Sequence, residues 1–198
     1  MSVSPSGNRQ PKPTREFILG VACELMVTHG FGGMSMRALA QQVGMQPGSL
    51  YHYFSCKQDI LEAVAEMLIA ERIQQWQRCK PRSKSPALQL DVFLNVHFGN
   101  NVDDHAVQLI GITELKHLDE IGRDRIKALY CVYVNELKGI IERGKVGGVF
   151  DVLKALPVAH IILAMLDGLM VSGLSGPKGS DQQSLADAKV FINKLLGR

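Results

Sequence analysis

Apolar residues recur along the chain at three- and four-residue intervals, with no convincing period-two alternation bounded by turn residues. The pattern predicts an all-α protein. In "TREFILGVACELMVTHG" the residues Phe17, Ile18, Val21, Ala22, Leu25 and Met26 fall on one helical face, and the helix is expected to stop at Gly30. "SMRALAQQVG" opens with Ser35 as an N-cap and carries Met36, Leu39, Ala40 and Val43 inward before Gly44 ends it. "QPGSLYHYF" starts a third helix, where Pro47 is tolerated in the first turn. A longer helix follows from "SCKQDILEAV", with Ser55 and Gln58 at capping-box spacing and Ile60, Leu61, Val64, Met67 and Leu68 on its apolar side.

The two prolines of "CKPRSKSP" interrupt the pattern near residue 80. Further helices are expected over roughly 86–99, 103–117, 119–144, 155–174 and 181–196, with Gly144, Gly147 and Gly148 breaking the third of these. The resulting organisation is a basic arm over 1–13, a compact head over 14–56, a connecting helix over 57–80 and a larger helical region over 81–198.

Composition narrows the class. A 46% hydrophobic fraction over 198 residues suits a real core rather than disorder. Four well-separated cysteines, with no Cys-x-x-Cys pair, fit reduced thiols in a cytoplasm and argue against a clustered zinc site. The run "LPVAHIILAMLDGLMVSGL" is nearly long enough to span a membrane. However, His160 and Asp167 lie seven residues apart on one face, which predicts a helix buried between protein surfaces. The formal charge of +3 is carried entirely by residues 1–57, where five Lys/Arg face only Glu16 and Glu24. A basic end on a neutral body hints at a polyanionic partner.

The stretch "VGMQPGSLYHYF" gives that hint a shape. A helix-turn-helix needs a small residue where two helices touch, a glycine able to take positive φ in the turn, and apolar residues that lock the pair. Ala40, Gly44 and the set Leu39, Val43, Met45 and Leu50 stand at those offsets. With Leu50 and Phe54 facing inward, Ser49, Tyr51 and His52 are left outside, and Tyr53 sits at the boundary. Short polar and aromatic groups at the start of a second helix suit phosphate oxygens and base edges in a major groove.

The span from Thr14 through "HGF", "SMRALA", "GSLYHYF" and Lys57 strongly resembles the N-terminal domain of TetR-family transcriptional regulators. That resemblance implies a three-helix DNA-binding head and an all-helical domain for ligand binding and dimerisation. It places Ser35 and Arg37 at phosphate contacts, Gln46, Pro47, Gly48, Ser49, Tyr51 and His52 on the groove-facing helix, and Lys57 at a backbone phosphate. Arg15 and Tyr53 complete the candidate DNA-binding set. Many members carry Ser-Lys or Ser-Arg where this chain has Gln46-Pro47, so the weight shifts to Tyr51, His52, Lys57 and the arm.

For the larger region the candidates for a ligand pocket are Trp76, Phe93, His97, His117, Tyr130, Tyr133 and Met165, each with ordinary core packing as its alternative. No second His pair at helical spacing supports a metal site. The spacing of Leu185, Ala188, Ile192 and Leu195, beside Val158, Ile162, Met165 and Leu169, predicts a four-helix homodimer interface. "ELKHLDEIGRDRIKALY" and "IERGKVGGVF" resemble C-terminal domains of many members, some of which answer to acyl thioesters. The expectation is a ligand-responsive regulator of a near-palindromic operator, usually a repressor. It would need no cofactor, metal or catalytic residue, and its effector would be small and largely apolar with one polar end. The alternative is a helical carrier or enzyme whose head is structural. A third possibility is a module that binds an unlike protein through "AHIILAMLDGLM".

Overall fold

The computed structural model describes residues 13–99, 110, 113–173 and 181–198. Among these are eight α-helices and no strand: α1 Arg15–Gly33, α2 Met36–Gln42, α3 Pro47–Leu50, α4 Lys57–Cys79, α5 Pro86–Phe98, α6 Glu120–Val146, α7 Ala155–Gly173 and α8 Asp181–Leu195. A 3-10 turn, Leu115–His117, precedes α6. Most of the arm, and most of the helix expected over 103–117, lie outside the described residues.

Two apolar clusters share the chain. The first gathers α1, α2, Leu50, Phe54 and the first half of α4, closed by Ile110, Leu118 and Ile126. The second is formed by α5, α6, α7 and α8 around Trp76. α4 belongs to both, with Ile60, Leu61 and Val64 in the first cluster and Trp76 in the second. One continuous rod of 23 residues therefore joins them.

Several local expectations shift by a residue or a face. Phe17 is half-exposed, because the buried face of α1 runs instead through Ile18, Leu19, Ala22, Cys23, Leu25 and Met26. The capping box of α4 moves from Ser55/Gln58 to Cys56/Asp59: Asp59 Oδ2 accepts from the backbone N–H of Ser55 at 2.9 Å and of Cys56 at 3.2 Å. A carboxylate is the stronger acceptor at a helix N-terminus. Gly144 does not break α6. It lies buried inside that helix because the Phe150 ring occupies the place where a side chain would start. α7 passes a length-and-composition test for a membrane span, yet it packs on α6, α5 and α8, and its Asp167 bonds to His97. His160, on the same sequence face as Asp167, is exposed.

Candidate functional site

The head is organised by two left-handed glycines. Gly30, at φ 68°, ends the regular part of α1, and Gly44, at φ 69°, turns the chain between α2 and α3. A non-glycine residue there would pay roughly 1–2 kcal/mol in backbone strain. The turn closes through Met45 N–H donating to Ala40 O at 2.8 Å, with Leu39, Ala40 and Leu50 buried beneath it. The helical part of the second element is short. After Pro47–Leu50 the bonds become i to i+3, with His52 N–H to Ser49 O and Tyr53 N–H to Leu50 O, so Tyr51, His52 and Tyr53 sit on a tight turn. Gln46, Pro47, Gly48, Tyr51 and His52 are exposed and Ser49 is half-buried, so these side chains form one surface over a buried Leu50 and Phe54.

The flanking polar residues have specific partners. Ser35 Oγ caps α2 by accepting from Ala38 N–H at 3.1 Å, and Arg37, two residues on, is exposed. The Arg15 guanidinium lies 5.3 Å from the Phe54 ring centroid. Tyr53 donates its hydroxyl to Pro13 O at 3.2 Å, which fastens the entry of α1 to the recognition turn. Lys57 Nζ donates to Gly32 O at 3.1 Å and sits 4.3 Å from the Phe31 centroid. Burial draws the Lys57 pKa down and the Glu114 charge opposes that shift.

In the second cluster the structure brings together most of the pocket candidates. Trp76, Phe93, His97 and Tyr133 are fully buried. Phe93 stacks on Tyr133 at 4.9 Å and meets Trp76 edge-on at 5.0 Å. His97 Nδ1 is 3.2 Å from the Tyr133 hydroxyl, and its Nε2 is 3.1 Å from Asp167 Oδ1. A neutral imidazole satisfies both by accepting from the phenol and donating to the carboxylate. Tyr130 also bonds Asp167; burial and that carboxylate hold its phenol protonated. Tyr133 is likewise pushed up by burial, with Arg72 opposing. Met165 is partly buried at the edge of the cluster.

His117 is not part of this group. It lies against Phe31 at 4.9 Å and pairs with Glu114 at 3.3 Å, at the junction with the head. Charged groups also reach the inward faces around the pocket candidates. Arg72 is buried with its guanidinium 5.8 Å from the Tyr133 centroid, and Asp167 reaches into the same region. Arg72 was legible in the sequence, since it stands four residues from both Leu68 and Trp76 on the buried face of α4. Among the described residues no group of three or more His, Cys, Asp and Glu could hold a metal.

The expected dimer set needs the larger correction. Ile162, Ala188 and Ile192 are buried in the chain's own second cluster, and Val158, Met165, Leu169 and Leu185 pack against it. Ile162, Ala188 and Ile192 are thus core residues of one protomer, while the other four are only partly covered by it. Of the set only Leu195 is substantially exposed. The apolar residues left outside on the same helices are Leu156, Ile161 and Val171 on α7, with Val190 and Phe191 on α8. Ile161 is 52% and Phe191 64% exposed.

Comparison with known proteins bears on both halves. Residues 18–64 match the family model for bacterial regulatory proteins of the tetR family, and residues 83–171 match that for tetracyclin repressor-like C-terminal domains. The fatty acid metabolism regulator protein of Bacillus subtilis is 22% identical over 91% of this chain and 93% of its own length. Two solved structures share the fold. One is AibR in complex with isovaleryl coenzyme A and operator DNA (TM-score 0.78, 20% identity, 91% of this chain and 97% of that one). The other is FadR from Bacillus subtilis in complex with stearoyl-CoA (TM-score 0.76, 22% identity, 90% and 95%).

Proposed function

The chain belongs to the TetR family of transcriptional regulators, and from that premise we propose that it is a repressor released from its operator by an acyl thioester. It is a DNA-binding, ligand-responsive regulator that works as a homodimer. The acyl-thioester reading draws on two relatives of the same fold that are held with coenzyme A thioesters. The observation in this chain that carries it is the group formed by buried Arg72, His97 and Tyr133 with half-buried Tyr130 and Asp167. This group offers polar partners inside an aromatic and aliphatic core, which suits an apolar chain ending in a polar group. Because Arg72 lies on α4, a ligand meeting it acts on the rod that also carries the head. Tyr51 and His52 are assigned to the groove, with Ser35, Arg37 and Lys57 assigned to phosphates. Arg15 and Tyr53 hold the recognition turn in place through Phe54 and Pro13.

The two-fold face is assigned to Ile161, Val171, Val190, Phe191 and Leu195, which are among the exposed apolar residues of the last two helices. We place the protein in the cytoplasm with its DNA, and read no enzymatic role. The test is a thermal-shift and operator-release titration with stearoyl-CoA, isovaleryl-CoA and free coenzyme A. An acyl thioester is expected to raise the melting temperature and free the DNA, with about 2.7 kcal/mol of stabilisation at a hundredfold excess over Kd. Coenzyme A alone is expected to do neither. Equal behaviour of all three ligands would contradict the assignment.

A further inference from the structure

The junction between the head and the rest of the chain is built around Phe31. Gly30 breaks the helical run in left-handed conformation, and Phe31, the next residue, is buried. The ring meets two groups from elsewhere in the sequence. The His117 imidazole stands 4.9 Å away at 31°, and the Lys57 ammonium 4.3 Å away. Lys57 also donates to Gly32 O, the next carbonyl along. The first turn of α4 is tied to the same place, since Gln58 Nε2 donates to His117 O at 2.8 Å. Glu114 pairs with His117, and its charge reaches Lys57.

We propose that Phe31 and His117 are positioning residues for Lys57, so that the 3-10 turn leading into α6 sets how the head presents this lysine to a DNA phosphate. An ammonium carries three N–H donors. Gly32 takes one of them, and Lys57 is only half-buried, so donors remain for an anion. A free lysine stem must be ordered when it binds, whereas one already held against a ring and a carbonyl loses less freedom. His117 supports the outer side of that arrangement. Moving the turn would loosen Phe31 and release Lys57 into solvent without altering any residue that touches DNA.

The inference rests on the reading of Lys57 as a phosphate contact, and a double-mutant cycle separates the two. Operator fragments recovered by genomic selection with the wild-type protein are titrated with wild type, His117→Ala, His117→Phe, Lys57→Ala and the double variant His117→Ala/Lys57→Ala. His117→Ala is expected to weaken binding about two- to fivefold, the range of an exposed cation–π contact. His117→Phe, which keeps a ring against Phe31, is expected to bind like wild type. In the Lys57→Ala background the His117→Ala change is expected to cost nothing further. The same loss in both backgrounds, or no loss in either, would overturn the inference while leaving the phosphate contact standing. Unaltered binding by Lys57→Ala alone would overturn both. A measurement without substitution reads the same geometry: the Lys57 Cε protons should show an upfield ring-current shift in the free protein and keep it on operator. Random-coil shifts in the free protein would also overturn it.

Discussion

Tyr51, Tyr53 and Lys57 stand within seven positions of one another and face three different environments. Tyr51 is 53% exposed on the recognition turn, Tyr53 spends its hydroxyl on Pro13, and Lys57 leans on Phe31. The inward and outward alternation around Leu50 and Phe54 made Tyr51 legible from helical phase. The partners of Tyr53 and Lys57 lie 40 and 25 residues away, and no local pattern announces them. Tyr51→Ala and Lys57→Ala are each expected to weaken operator binding while the protein stays folded and dimeric. Losing Lys57 should also reduce the slope of log affinity against log salt by about one. Anisotropy titrations over a salt series read both effects. The spacing of Arg72 puts it on the buried face of α4, but its partners and those of Asp167 were not legible. Charged residues are rarely buried, and only the meeting of four helices supplies the partners that permit it here.

At the scale of elements, helix positions followed closely from periodicity, while caps and close approaches did not. The cap of α4 depends on which side chain reaches back to the first free N–H groups, and Asp59 does so rather than Gln58. The Asp59 carboxyl is held below its ordinary value, first by the Cys56 thiol and also by the backbone bonds, with burial opposing. A carboxylate depressed in the folded state stabilises above its unfolded value, and that contribution is lost as pH falls through the lower folded value. Asp59→Asn is therefore expected to flatten the stability profile below about pH 4 and leave its shape near neutrality unchanged, as read by denaturant midpoints across pH. Gly144 shows why a glycine in a helical pattern is ambiguous. The sequence reads it as a stop, and the structure uses it for packing. A Cβ there would run into the Phe150 ring. Gly144→Ala should destabilise by about 1–3 kcal/mol, the usual cost of overpacking. The double change Gly144→Ala/Phe150→Leu should recover part of that loss in thermal unfolding.

At the scale of the whole molecule, the two halves differ in how much a single chain can reveal. The head builds most of its core from its own helices, with Ile110, Leu118 and Ile126 closing it, so most of its period-3.6 face is also its core. The last two helices have two apolar sides, one for their own cluster and one left outside, and α7 is apolar nearly all round. Periodicity cannot say which side meets a second copy, which is how Ile162, Ala188 and Ile192 came to be expected at the interface. The structure separates them. Phe191→Asp should give a folded monomer by sedimentation at micromolar concentration. Ile192→Asp, one residue on but fully buried, should unfold the chain instead, because it places an unpaired charge in the core. As a regulator the molecule depends on its head reading DNA as part of a two-fold dimer. The most direct measurement is a salt titration of operator affinity, on a fragment recovered by genomic selection, with the stoichiometry determined in the same experiment. The predicted result is a near-palindromic site bound by an even number of protomers, with affinity falling steeply and log-linearly as salt rises. Failure to enrich any fragment, or an affinity indifferent to salt, would contradict it.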